Sequence, residues 1–135
     1  MVGIESPTEY TFHVNPDELR EYLLAKPAVT EETPFGPEVL VYKVKGKMFA
    51  TLGFETDDGI ETGRTNLKCD PDKAIELRAD HDAILPGYHM NKRHWNTLVL
   101  NGTLKPTLVR KLCDHSWELV VAGLPKRDRQ ALFQT

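Results

Sequence analysis

Residues 85–97 hold a dense set of side chains that can recognise another molecule. Within these thirteen residues lie two imidazoles, an indole, a phenol, two amides and two cations. Aromatic rings that alternate with cations can stack on bases and contact phosphates. The same side chains can equally tie the loop to its own fold through hydrogen bonds. The candidates for lining a ligand pocket are Tyr88, His89, Asn91, His94 and Trp95.

A second group of cations is expected at the tip of a β-hairpin. Lys43, Lys45 and Lys47 surround the turn residue Gly46. Basic side chains laid along phosphates position a protein on DNA without reading its sequence. An alternative of equal weight is that these lysines protect a sheet edge from aggregation. Further positive charges that could join them on one surface are Lys68, Lys92, Arg93 and the segment 126–129.

Histidines and acids that could bind a metal lie between residues 80 and 94. They are Asp80, His81, Asp82, His89 and His94. The histidines are separated by eight and five residues, which matches no zinc motif, and no cysteine is close in sequence. We therefore predict no metal site.

Known catalytic motifs are not evident in the chain. Ser116 follows His115, but no G-x-S-x-G elbow surrounds it, so Ser116 is expected to be a small packing residue. Asp114 and His115 are neighbours on a predicted helix and should point in different directions. Glycine-rich phosphate loops are absent. The sequence therefore favours a binding protein over an enzyme.

Capping and turn residues predict the helices that surround these side chains. Asn15 and Asp70 can each cap a helix whose first residue is proline. A long amphipathic helix is predicted from about residue 106 to residue 121, followed by a short basic helix at residues 126–129. Residues 30–37 and residues 55–59 are predicted to be loops or turns.

Strands are predicted near residues 39–45, 47–54, 63–69 and 95–100. Lys45 and Gly46 should form a two-residue turn that places Val44 opposite Lys47 and Tyr42 opposite Phe49. The expected core face of this hairpin is Val39, Val41, Met48, Ala50 and Leu52. Because only one gap between strands holds a helix, the pattern predicts an α+β fold with a mainly antiparallel sheet.

The composition is that of a soluble globular protein with one domain. The chain has 135 residues, of which 40% are hydrophobic and 27% are charged. It has no apolar run of about 18 residues and no visible signal peptide. Cys69 and Cys113 are expected to be free thiols in the cytoplasm. A net charge of −3 allows DNA binding only if the positive charges are segregated on one surface.

Three blocks of sequence resemble the MmcQ/YjbR-like family: residues 86–97, 67–71 and 114–126. The predicted strand at residues 47–50 also fits, and the resemblance covers about residues 15–130. One departure is Trp117, where the family is expected to carry tyrosine. Because the three blocks occur in the family's order, the resemblance is more specific than any single motif would make it.

The resemblance implies one α+β domain over residues 1–135, similar to the frataxin/CyaY fold, with helices on one face of an antiparallel sheet. Members of the family are usually described as DNA-binding through a double wing of hairpins, a description drawn from the fold. No enzymatic activity and no cofactor are implied. We therefore expect a cytoplasmic monomer that binds DNA weakly and without sequence preference. The alternative is a module that binds a small ligand or a protein through residues 86–97.

Overall fold

The computed structural model describes residues 15–88 and 90–133, and these form an antiparallel sheet with helices on one face. The six strands within these ranges are β1 (Val29–Glu32), β2 (Leu40–Val44), β3 (Lys47–Asp57), β4 (Ile60–Lys68), β5 (Ile84–Pro86) and β6 (Trp95–Leu100). They lie in the order β1-β2-β3-β4-β6-β5, and every pairing is antiparallel. The predicted α+β class is confirmed.

The described helices begin at the predicted residues. They are α1 (Pro16–Leu24), α2 (Pro71–Asp80), α3 (Pro106–Ala122) and α4 (Lys126–Ala131). The side chain of Asn15 accepts a hydrogen bond from the Asp17 amide at 2.7 Å, and Asp70 accepts one from the Lys73 amide at 3.2 Å. These side chains satisfy amides that have no partner inside the helix. Across the described ranges, each helix is too short or too polar to cross a membrane.

The core lies between the helices and one face of the sheet. Leu19 and Leu23 of α1 pack in one cluster with Tyr42 and Phe49, and all four are at most 2% exposed. The same cluster includes Val109, Leu112 and Cys113 of α3. α2 attaches to this face through Asn96 of β6, whose side-chain oxygen accepts a hydrogen bond from Arg78 at 2.7 Å. We call the opposite side of the sheet, which none of these helices covers, the open face.

The two-residue turn predicted between β2 and β3 is confirmed. Lys45 and Gly46 have φ angles of 50° and 80°, the left-handed conformation that such a turn requires. Val44 therefore pairs with Lys47, as predicted. After the next pair the register shifts, because Phe49 is an extra residue in β3 and forms a β-bulge.

The bulge makes the predicted core face of this hairpin wrong. Tyr42 pairs with Ala50 instead of Phe49, and all three residues belong to the helix-covered core. Of the five residues predicted to share that core face, Ala50 and Leu52 do so. The other three lie on the open face: Val41 pairs there with Thr51, and Val39 and Met48 line a groove there.

β1 overlaps the segment 30–37, which is predicted from the sequence to be a loop. Its sequence is Val-Thr-Glu-Glu, which lacks the apolar alternation of a typical strand. It pairs with the buried strand β2, and Glu31 lies opposite Tyr42. The tertiary contact with β2 therefore decides the conformation of this edge.

The predicted polar turn at residues 55–59 is shorter than expected. β3 continues to Asp57 and β4 begins at Ile60, so only two residues separate them. These are Asp58 and Gly59, with φ angles of 52° and 80°. A further short strand at the edge of the sheet, β5, was not predicted. It follows α2 after three residues and pairs with β6.

Candidate functional site

The topology brings most of the predicted DNA-binding cations to one end of the sheet. Lys47 begins β3 and Lys68 ends β4, and these ends are adjacent because the two strands are antiparallel. Trp95 begins β6 opposite Lys68, so the preceding turn with Lys92 and Arg93 lies at this end as well. We call it the basic end; it carries Lys45, Lys47, Lys68, Lys92 and Arg93.

Lys43 differs from the other predicted cations because it has an acidic partner. Its Nζ atom lies 3.1 Å from Glu32 Oε1 on the neighbouring strand. It pairs with Met48 on the open face, whereas Lys47 pairs with Val44 on the helix-covered face. The three lysines of the hairpin therefore do not form one uniform surface. Lys45 and Lys47 remain exposed.

Hydrogen bonds hold the turn before β6 in place. Asn91 Oδ1 accepts a hydrogen bond from the Arg93 amide at 2.9 Å, and the Asn91 carbonyl accepts one from the His94 amide at 3.1 Å. Lys92 Nζ donates to the Gly87 carbonyl at 3.3 Å. Asn91 thus stabilises the turn internally, whereas Lys92 joins it to Gly87, and the side chains of Lys92 and Arg93 are exposed.

Basic residues also occur in α4, the helix that follows α3. α3 follows β6 and runs back along the sheet, since Ser116 Oγ contacts the Phe49 carbonyl and the Lys68 amide near that end. α4 follows the carboxyl end of α3. Its basic residues are Lys126, Arg127 and Arg129.

The other end of the sheet is acidic. The hairpin between β3 and β4 carries Glu55, Asp58 and Glu61, with no lysine or arginine between them. This hairpin lies at the opposite end of the strands from the turn at Lys45 and Gly46. The cations of the β2–β3 turn and the acids of the β3–β4 hairpin therefore lie at opposite ends of the strands, while Asp70, which caps α2, follows Lys68 at the basic end.

A groove of about 500 Å³ lies on the open face. Its apolar walls include Phe35, Phe54, Tyr88, Val39, Met48 and Met90. Phe35 is 75% exposed, Tyr88 59% and Phe54 52%. Large rings with this exposure at a concave surface are typical of a binding site.

A row of polar side chains forms the floor of the groove. Asn66 of β4 lies between Thr51 of β3 and Thr97 of β6. Asn66 Nδ2 donates to Thr51 Oγ1 at 2.9 Å, and Thr97 Oγ1 donates to Asn66 Oδ1. Thr97 Oγ1 also accepts a hydrogen bond from the Tyr88 amide at 3.1 Å. These contacts fix the orientation of the Asn66 amide and join the loop after β5 to the sheet.

Arg64 lies beside this row on the same strand and also lines the groove. Its Nε atom is buried and has no hydrogen-bond partner in the part of the chain that the structure describes. The ion pairs found in residues 15–88 and 90–133 involve Arg20, Lys26 and Lys43 instead. Gly53 lies directly opposite Arg64 on β3 and adds no side chain above it.

The five residues predicted to line a pocket lie in different places. Tyr88 lines the groove. Asn91 stabilises the following turn, and the His94 carbonyl accepts a hydrogen bond from the Cys69 amide at 2.8 Å. Trp95 is half-buried and pairs with Lys68 across β4 and β6. The fifth residue, His89, lies outside the described residues.

Arg64 and Asn66 are groove residues that the sequence analysis did not identify. The sequence of residues 63–68 does carry a signal for them, since the long polar side chains Arg64, Asn66 and Lys68 alternate there with smaller or apolar residues. Such alternation is typical of a strand with one polar face. The sequence does not show that this polar face is also concave.

Asp114 and His115 face different neighbours, as predicted for adjacent helix residues. The Asp114 carboxylate accepts hydrogen bonds from Lys26 and, at 2.7 Å, from Tyr22 Oη. Burial and this carboxylate raise the pKa of Tyr22 to about 12. His115 Nε2 accepts a hydrogen bond from the Asp70 amide at 3.2 Å, and burial lowers the pKa of His115. The two side chains therefore do not act as an acid–base pair.

Neither cysteine is placed as a nucleophile. Cys69 and Cys113 are buried free thiols. Burial raises the pKa of Cys69 and raises that of Cys113 to about 12. Both therefore stay protonated at neutral pH, and a protonated thiol is a poor nucleophile. Over the described ranges, no three His, Cys, Asp or Glu side chains are grouped so that they could hold a metal ion.

Comparison with known proteins identifies close relatives in bacteria. The chain is 43% identical over 97 residues to the uncharacterized protein YbdF of Escherichia coli O157:H7, an alignment that covers 72% of this chain and 76% of that protein. It is 32% identical over 117 residues to the uncharacterized protein YjbR of Escherichia coli K12, covering 87% and 96% of the two chains.

Solved structures share the fold. The crystal structure of a Deinococcus radiodurans protein with a DUF419 domain superposes with a TM-score of 0.79 at 37% identity, covering 93% of this chain and 92% of that one. A crystal structure of a Pseudomonas syringae protein matches with a TM-score of 0.70 at 27% identity, covering 78% of this chain and 98% of the other.

The family model described as YjbR matches residues 24–119, which include the basic end, the open-face groove and most of α3. This match confirms the resemblance found in the three sequence blocks. The chain belongs to the YjbR family.

Proposed function

We propose that the protein binds DNA weakly and without sequence preference through the basic end of its sheet, and that it is not an enzyme. The observation that carries the proposal is the separation of charge. Exposed Lys45, Lys47, Lys92 and Arg93 lie at one end of the strands, and the acidic hairpin lies at the other. A cytoplasmic monomer is part of the proposal, in keeping with the two unbridged cysteines.

The expected affinity follows from the number of phosphate contacts. Each contact releases counterions, so the logarithm of the affinity changes with the logarithm of the salt concentration by about −0.9 per contact. The four exposed cations would together give a slope of roughly −4. Binding of this kind has a Kd of about 10⁻⁴–10⁻⁶ M near physiological salt.

The charges favour a single basic wing over two wings. The β2–β3 hairpin carries Lys45 and Lys47 at its tip, whereas the β3–β4 hairpin carries Glu55, Asp58 and Glu61. Phosphates would repel the second hairpin. The second contact is therefore assigned to the turn with Lys92 and Arg93, which hydrogen bonds to Asn91 and Gly87 hold in place.

A salt series with fluorescently labelled duplex and single-stranded DNA tests the proposal. Replacing Lys45 and Lys47 together by Gln should weaken binding and reduce the magnitude of the salt slope by about two units at most. Adding Lys43→Gln should change the slope little further, because Lys43 is already paired with Glu32. Stability should hardly change, since exposed charges contribute little to folding.

The matched control replaces Lys105 and Lys111, two exposed lysines in the amino-terminal part of the α3 region, by Gln. This variant loses the same net charge but should bind DNA with nearly the slope of the parent. Equal weakening in both double variants would mean that only the net charge matters and would contradict the proposed surface. Absence of binding by the parent even at low salt would refute DNA binding altogether.

A further inference from the structure

We infer that the open-face groove binds a small, flat, apolar molecule that carries a single carboxylate, with Arg64, Asn66 and Thr51 receiving the carboxylate. This inference is independent of DNA binding, because it rests on the groove and not on the basic end. The groove, at about 500 Å³, falls within the range of small-molecule sites.

Polar side chains on the floor of the groove can donate hydrogen bonds to a ligand. Thr51 Oγ1 has no free lone pair with which to accept one. Thr51 Oγ1 accepts from the Asn66 amide at 3.4 Å and from Asn66 Nδ2 at 2.9 Å. Both lone pairs of this hydroxyl are thereby used, so it can only donate to a ligand. Asn66 Nδ2 has a second hydrogen beyond the one that Thr51 receives.

Arg64 supplies a third donor and the positive charge. Its buried Nε atom has no hydrogen-bond partner among the described residues. A buried donor without a partner is costly, and a ligand that accepts its hydrogen bond removes that cost. Charge-assisted hydrogen bonds from arginine to a carboxylate are among the strongest in proteins. The ligand group that meets all three donors is therefore an anionic oxygen acceptor.

The apolar walls of the groove determine the chemical nature of the part of the ligand beyond its carboxylate. Phe35, Phe54 and Tyr88 line the groove, and at least half of each residue is exposed to solvent. Flat apolar rings can stack on such side chains and remove both surfaces from water. Thus the body of the ligand is expected to be one or two fused rings.

Glu55 restricts the charge of the ligand. It also lines the groove, at its exposed rim, and lies two residues further along β3 than Gly53, the partner of Arg64. A second negative charge on the ligand would meet this carboxylate. The groove should therefore select monoanions over dianions and should not accept a phosphate backbone.

Binding can be measured by NMR titration of the isotope-labelled protein with naphthoate, naphthamide, naphthalene dicarboxylate and acetate. Naphthoate should bind with a Kd of about 0.1–1 mM. Naphthamide lacks the charge, acetate lacks the rings and the dicarboxylate has a second charge, so each should bind at least about tenfold more weakly. The shifted amide signals should be those of Thr51, Arg64, Asn66 and Tyr88.

Two variants test the assigned roles. Arg64→Met keeps an unbranched apolar stem but loses the donors and the charge, and it should weaken naphthoate binding at least about tenfold. Arg110→Met is the matched control on the exposed surface of α3 and should bind as the parent does. Glu55→Gln should strengthen naphthoate binding and reduce the preference over the dicarboxylate.

The inference is overturned if naphthoate shifts no groove signals, or if naphthamide binds as tightly as naphthoate. It is also overturned if folded Arg64→Met binds naphthoate as the parent does. If Arg64→Met does not fold, the relative affinities of the parent protein for naphthoate, naphthamide and the dicarboxylate still test the inference. Shifts confined to Lys45, Lys92 and Arg93 would indicate a general attraction of anions to the basic end and would reject the groove.

Discussion

Ser116 shows how one small side chain links α3 to the irregular part of the sheet. It is 0% exposed. Its Oγ atom donates to the Phe49 carbonyl at 2.5 Å and accepts from the Lys68 amide at 2.9 Å. A bulge leaves its extra residue outside the regular ladder, so that residue needs another partner. Ser116 is therefore more than the small packing residue that the sequence suggests.

Replacing Ser116 by Ala should lower the free energy of unfolding by roughly 1–3 kcal/mol, because two buried backbone groups lose their partner. Chemical denaturation of the variant and the parent measures this difference. Thr107→Ala, at an exposed position of the same helix, is the control and should be nearly neutral. A Ser116→Ala variant as stable as its parent would show that the bulge does not depend on this contact.

Glu31 is the acid that connects β1 to α1 and β2. Its carboxylate accepts hydrogen bonds from Arg20 Nε at 2.6 Å, Arg20 Nη2 at 2.8 Å and Tyr42 Oη at 2.8 Å. The bonds from Arg20, followed by that from Tyr42, hold the pKa of Glu31 below its usual value of 4.5, although burial opposes them. These contacts favour the ionised form, so their contribution to stability depends on pH.

A lowered pKa means that this contribution is complete above the unfolded pKa of Glu31 and is lost as the pH falls through the folded pKa. We therefore expect Glu31→Gln to destabilise the protein more at pH 7 than at pH 3. Because Arg20 is exposed and solvent screens its interaction with Glu31, the difference between the two pH values should be small. Thermal unfolding at the two pH values measures the change. Exposed Glu21→Gln should show little difference between them. An effect of Glu31→Gln that is independent of pH would contradict the assignment.

At the level of elements, the close approach of β5 to β6 positions the loop that carries Tyr88. The Gly87 amide donates to the Trp95 carbonyl at 2.9 Å. A Cβ atom at Gly87 would lie 2.7 Å from Trp95 Cβ and 3.0 Å from the Trp95 carbonyl oxygen. The loop can therefore stay against β6 only if residue 87 has no side chain.

Gly87→Ala should destabilise the protein by about 1–3 kcal/mol, because the backbone of β6 cannot easily move away. Gly123→Ala is the matched control, since its φ of −88° suits alanine and the nearest atom to its Cβ would lie at 3.6 Å. That control should be neutral or slightly stabilising. Similar midpoints of chemical denaturation for the two variants would mean that the β5–β6 contact is more adaptable than the structure indicates.

Across the whole molecule, the sheet presents two separate surfaces. The basic end gathers cations from the β2–β3 turn, the end of β4 and the turn before β6. The groove occupies the open face and combines Arg64 with exposed rings. Because the net charge is −3, binding of a polyanion depends on the cations of the basic end and the acids of the β3–β4 hairpin lying at opposite ends of the strands, so the salt slope reports on the distribution of charge in the fold.

Interactions between residues close in sequence were sufficient to predict several features of the fold. The helix starts at Asn15 and Asp70, the turn at Lys45 and Gly46, and the α+β class with its antiparallel sheet all follow from short stretches of residues. In each case the physical cause lies within a few positions: a side chain that satisfies its own helix amides, or a turn that requires positive φ. The family resemblance of three sequence blocks was likewise visible before the fold.

The tertiary structure alone decided which side of a strand is buried and which side chains meet. The carbonyl of Phe49, the extra residue of the bulge, accepts a hydrogen bond from Ser116, a contact between residues 67 positions apart. β1 becomes a strand because buried β2 pairs with it, and the groove exists because strands from three parts of the chain place Thr51, Asn66 and Thr97 in one row. Burial and concavity arise from contacts distant in sequence, and no local pattern contains that information.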